Sequence, residues 1–126
     1  MWIDLLDNKK ALTSIFGENR PKLDSFRVKE IQLNILKNSL KVVGDLSSYP
    51  EEPPVKWRKG KFNTVHVVIE FWNLKALKLV DFKELEDVDL NINQATEGVV
   101  CETNNGFYCE AELIDLLEIS GYQNSQ

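Results

Sequence analysis

The chain is poor in the residues that carry most enzyme chemistry. It has one histidine, two cysteines and six scattered glycines among 126 residues. A lone histidine, His66, leaves no His-rich metal site. Scattered glycines leave no phosphate-cradling loop. Cys101 and Cys109 would need two further ligands to hold a metal, and none is evident near them in sequence. No apolar run approaches the roughly 20 residues that span a bilayer. The acid-containing start MWIDLLDNKK does not make a secretory signal. These absences lead us to expect a cytoplasmic protein with reduced cysteines, no cofactor, no metal and no membrane partner. At this length a single domain over residues 1–126 can bury a core without a disulfide.

Basic residues are also scarce in one half. Residues 1–63 hold 12 Lys/Arg against 8 Asp/Glu, whereas residues 64–126 hold 3 Lys against 12 Asp/Glu. Phosphate binding needs positive charge, so the acidic half excludes nucleic acid as its partner. A basic protein fits it better; a plain solvated acidic surface is the alternative.

What is present is mostly strand pattern. Trp2, Leu5, Leu6, Leu12, Ile15 and Phe16 follow helical spacing. Asp7 or Asn8 can cap a short helix starting near Lys9, and Gly17 can end it. One or two helices are expected over 2–16. From residue 24 the period becomes two. Phe26 and Val28 alternate, then Ile31, Leu33 and Ile35; the slip between 28 and 31 marks a β-bulge or a bend. Leu40, Val42 and Leu46 mark a second strand. Val65, Val67, Ile69 and Phe71 mark a third, Leu77 and Leu79 a fourth, and Val88, Leu90 and Ile92 another over 87–93. Strands so spaced argue an antiparallel sheet. The expected fold is α+β, with N-terminal helices packed on a twisted, mainly antiparallel sheet. Residues 112–119 fit either helix or strand; continuity with the preceding hairpin arm favours strand.

That hairpin can be placed more closely. A two-residue Asn105-Gly106 turn would set Cys101 against Glu110 and put acids on the apolar face. A three-residue loop, Asn104-Asn105-Gly106, pairs Val99 with Ala111 and Cys101 with Cys109. Every apolar side chain then shares one face, and register follows the buried face. Cys101 and Cys109 become cross-strand core neighbours. His66 points to the opposite face, so no Cys–His nucleophile pair forms.

The stretch Tyr49-Pro-Glu-Glu-Pro-Pro-Val-Lys-Trp57 holds three of the four prolines. It could be a linker, a recognition peptide or a shaped loop. Lying between strands of one sheet pattern, it reads as a stiff loop over a sheet edge that places Trp57. Trp57 with Glu51 and Glu52 is a secondary candidate surface.

Trp2 with Ile15-Phe16-Gly17, Pro21 and Leu23, the elbow YP-x-x-PP-x-x-W, the strand VHVVIEF and the closing Ser120-Gly121-Tyr122 together resemble an immunity-protein family of bacterial polymorphic toxin systems, the one numbered fifty. The resemblance spans nearly the whole chain. It implies an α+β fold and a cytosolic, non-catalytic inhibitor that binds a cognate toxin domain. No binding residue can be carried over from its aromatic and proline positions.

The candidate contact set comes from charge. Residues 81–118 hold 11 acids and one lysine. With Val88, Leu90 and Ile92 inward, Asp87 and Asp89 face out; on the hairpin Glu102, Tyr108, Glu110 and Glu112 do. Glu84 and Glu86 complete the set. If these strands adjoin, they form an acidic face with Tyr108 as anchor. The partner expected is a cognate toxin domain, a basic nuclease among the candidates, bound by a monomer or weak dimer. Two other readings stay open. One is a small-ligand or carbohydrate-binding β domain using Trp57 and Trp72. The other is a hydrolase, which needs a cleft with a perturbed carboxylate.

Overall fold

The structure, a computed structural model, describes residues 1–80 and 87–125. Six strands dominate it: β1 (Arg27–Asn34), β2 (Ser39–Leu46), β3 (Thr64–Leu79), β4 (Asn91–Ala95), β5 (Gly98–Glu102) and β6 (Phe107–Tyr122). They form one sheet in the order β1-β2-β3-β6-β5-β4, antiparallel throughout. Helix among the described residues is limited to a 3-10 turn at Trp2–Leu5, α1 (Lys10–Phe16) and α2 (Val55–Lys59).

The expected layer of N-terminal helices is therefore overturned: the protein is mainly β, with only α1 forming a helix of any length beyond single turns. The apolar spacing of residues 2–16 is real, but the segment is too short to sustain a helix alone. It breaks at Leu6, whose backbone is extended. Asn8 accepts a bond from the Lys10 amide at 3.0 Å, and Gly17 ends α1 at φ 62. What holds these pieces is burial of Trp2, Ile3, Leu6, Leu12 and Phe16 in the common core. The Trp2 indole N–H donates to the Pro21 carbonyl at 3.0 Å.

The sheet's two ends meet. Phe26, just before β1, exchanges both backbone bonds with Val88 at 2.7 and 2.9 Å, and the Leu90 amide donates to the Leu23 carbonyl at 3.0 Å. This seam curls the sheet around one core. Leu40 and Val42, Val65 to Phe71 at alternate positions, Cys101, Cys109, Ala111 and Ile114 point into it. The expected strand over 87–93 is corrected accordingly. Val88, Leu90 and Ile92 are buried as expected, but Asp87 takes φ 56 and the bonds of 88 and 90 go to the seam. Pairing with β5 begins only at Asn91.

Two further corrections concern β3 and the turn after β1. The expected third and fourth strands are one 16-residue strand. It kinks at Asn73, which has φ 56, and Lys75 is looped out between Leu74 and Ala76. Ile35 is not a strand residue; it lies in the β1–β2 turn and is 78% exposed. The bulge expected between Val28 and Ile31 is present, with Lys29 as the extra residue. Residues 112–119 are strand.

Candidate functional site

The β5–β6 hairpin takes the expected register, with Val99 opposite Ala111 and Cys101 opposite Cys109. The Thr103 amide donates to the Phe107 carbonyl at 3.0 Å, leaving a three-residue loop in which Gly106 has φ 88. Both cysteines are free and buried. A hydrogen bond with Cys109, together with burial, pushes the Cys101 thiol well up, so Cys101 is not a ready nucleophile.

The opposite face of this hairpin is open. One cross-strand row runs Asn91, Glu102, Tyr108, Lys78; the next runs Asn93, Val100, Glu110, Ala76. Glu102, Tyr108 and Glu110 are thus brought together as expected. The Tyr108 hydroxyl donates to Glu110 at 2.5 Å. That bond, helped by desolvation and the charges of Glu110 and Glu102, holds the phenol's pKa up at about 12. The sequence reading missed the bases beside them. The Lys78 ammonium lies 5.4 Å from the Tyr108 ring centre. Lys75, thrown out by the β3 bulge, donates to the Glu97 carbonyl at 2.7 Å. The face is acidic with a basic border, because β3 lies beside β6 rather than among the acidic strands.

Glu112 is exposed at the β3–β6 kink and accepts from the Asn73 amide at 3.1 Å. Asp89 sits at the seam and accepts from the Ser25 amide at 3.0 Å. Asp87 is exposed beside it. Glu84 and Glu86 lie outside the described residues. In the proline elbow, where the sequence pattern predicts a loop, Val55–Lys59 form α2, with Pro54 as the residue that caps its start. Trp57 is only 9% exposed. Its ring lies 6.1 Å from Tyr49 and covers Gly121, where a Cβ would come within 2.6 Å of the indole. Glu51 and Glu52 are exposed above it, so that surface consists of the two acids while Trp57 belongs to the core.

A buried ionic cluster also went unforeseen. Asp45, 4% exposed, lies 3.1 Å from the Lys29 ammonium and accepts from the Tyr122 hydroxyl. Lys29 also donates to Tyr122 at 2.8 Å. Burial pulls the Lys29 ammonium down, but the bonds to Tyr122 and Asp45 outweigh it, and the net shift is upward. The other Asp45 oxygen accepts no hydrogen bond and faces His66 Nδ1 at 3.5 Å. The phase slip in β1 announced a bulge at Lys29; nothing in the sequence announced its partner. Asp45, His66 and Ser120 form a cross-strand row with the residue types of a hydrolytic triad. No hydrogen bond joins His66 to Ser120, so the relay a triad requires is not assembled. Among the described residues no group of three or more His, Cys, Asp or Glu could hold a metal. No helix among them is long and apolar enough to cross a membrane.

At the kink, an open cleft of about 400 Å³ is lined by Asp7, Trp72, Asn73, Leu113, Ile114 and Asp115. Trp72 and Leu113 are cross-strand partners on the same open face as the acidic patch.

Compared with known proteins, residues 8–122 match the family model described as Immunity protein 50. Searches of curated proteins and of solved structures found no match.

Proposed function

The chain belongs to the Immunity protein 50 family, and from that membership we propose that it binds a cognate bacterial toxin domain and neutralises it by occlusion, without catalysis. The observation that carries this reading is the family match across nearly the whole chain. The sheet adds a plausible contact surface: Glu102 and Glu110 flank Tyr108 on an open face, and the proposed contact also takes in Glu112, Asp87 and Asp89. A tyrosine inside a charged rim is the usual anatomy of a protein contact. Such a face attracts a basic domain and speeds its arrival. A nuclease fits, because a groove for nucleic acid is positively charged. The proposed site of action is the cytoplasm, with the inhibitor acting as a monomer or weak dimer.

The test starts by reading the genes beside this one for a toxin-like domain and cloning the candidate found there. Titration calorimetry is expected to give a tight one-to-one complex. Reversing Glu110→Lys and Glu112→Lys together is expected to slow association about tenfold at low salt, and less at high salt. An unchanged on-rate would remove the acidic patch from the contact while leaving the function standing.

The small-ligand reading retains one observation, the cleft beside Trp72. It loses Trp57, which is committed to the core.

A further inference from the structure

The cleft at the β3–β6 kink has a chemistry of its own. Two acidic residues, Asp7 and Asp115, line it together with Trp72, Asn73, Leu113 and Ile114, of which Ile114 is only 3% exposed and has its side chain in the core. No lysine or arginine is among its lining residues. Asp7 is exposed, Trp72 and Asp115 are half-exposed, and Leu113 is 49% exposed. The volume of about 400 Å³ has room for roughly a dozen waters at about 30 Å³ each, enough for one long side chain and some solvent.

We propose that this cleft receives an arginine side chain of the toxin domain. A guanidinium is planar, stacks on an indole face and is weakly hydrated. Its aliphatic stem suits the exposed Leu113 side chain, and its N–H groups suit the two carboxylates. The same exposed side of β6 continues to Leu117, 51% exposed, and to Glu118, so an apolar strip with an acidic border extends beyond the cleft. Charge selects the occupant. The chain carries a net −5 and its second half is the acidic one, so a basic protein is favoured over a second copy of this chain. The cleft lies where β3 kinks: Asn73, one of its lining residues, takes φ 56 and donates to Glu112 at 3.1 Å, next to the cross-strand pair Trp72 and Leu113.

This inference rests on the immunity reading, and its test separates the two. The toxin-like domain cloned from the neighbouring genes is titrated into the wild-type protein, the Asp7→Lys/Asp115→Lys double variant and Trp72→Ala, each first shown to melt as a folded protein. The expected result is wild-type binding, with affinity at least tenfold weaker for the double variant and for Trp72→Ala. Trp2 and Trp57 are 5% and 9% exposed, so a fluorescence change on complex formation is expected to come from Trp72 and to vanish in Trp72→Ala. Wild-type binding with undiminished affinity in both variants overturns the cleft and leaves the immunity reading intact. Self-association that uses the cleft in place of toxin overturns it too. No binding by the wild type overturns both readings.

Discussion

Tyr108 shows how much one side chain can report. Its phenol is kept neutral by donating to Glu110, with a pKa near 12 against an ordinary 10.0. The folded state thus favours the protonated form. The stabilisation is intact below pH 10 and is lost as pH rises through about 12. Site-resolved titration of Tyr108 is expected to show it ionising late, and Glu110→Gln is expected to bring it back toward 10. A late tyrosine that survives Glu110→Gln would overturn this assignment. The side chains of this hairpin are legible in the sequence, because a single loop length places Val99, Cys101, Cys109 and Ala111 on one face. Lys78 and Asp45 are not legible. Each acquires its neighbour from a strand far away in sequence, and no periodicity encodes which polar residues will meet.

Among the elements, the two 16-residue strands matter most. β3 and β6 pair along their length, and their ladder is interrupted where Asn73 takes φ 56, its side chain bonded to Glu112, and Lys75 is looped out. Asn73 is among the few residue types that tolerate a left-handed backbone at low cost. Asn73→Val is expected to destabilise the protein by about 1–2 kcal/mol, and Asn73→Gly by clearly less, as measured by urea unfolding. Equal losses would mean that only the bond to Glu112 matters. This interruption also explains why the sequence divides β3 into two strands. Asn73 and Lys75 interrupt the alternation just as a turn would, and only the continuous pairing with β6 shows that the strand runs through. The N-terminal helices fail for a different reason. Their apolar spacing marks burial correctly, but burial of a short segment does not require it to be a continuous helix.

In the whole molecule, closure is set by Phe26 and Val88, which are 0% and 1% exposed. The pair joins the two ends of the sheet through two backbone bonds. Phe26→Ala is expected to cost about 3–5 kcal/mol and to lower the denaturation midpoint as one cooperative transition. A separate early transition would show that the seam is a local latch. This closure leaves no trace in the sequence, since a single bridge between residues 62 positions apart has no period. The same topology bears on timing. β6 comes last along the chain among the strands, yet it occupies the middle of the sheet, between β3 and β5. A ribosome therefore releases β1–β3 and β4–β5 as two incomplete pieces with no strand to join them. Non-local pairing of this kind is slow, and the exposed margins of both pieces invite wrong partners until β6 has been made. A surface shared by β3 and β6 exists on no shorter nascent chain, so any protection it confers begins with the final strand.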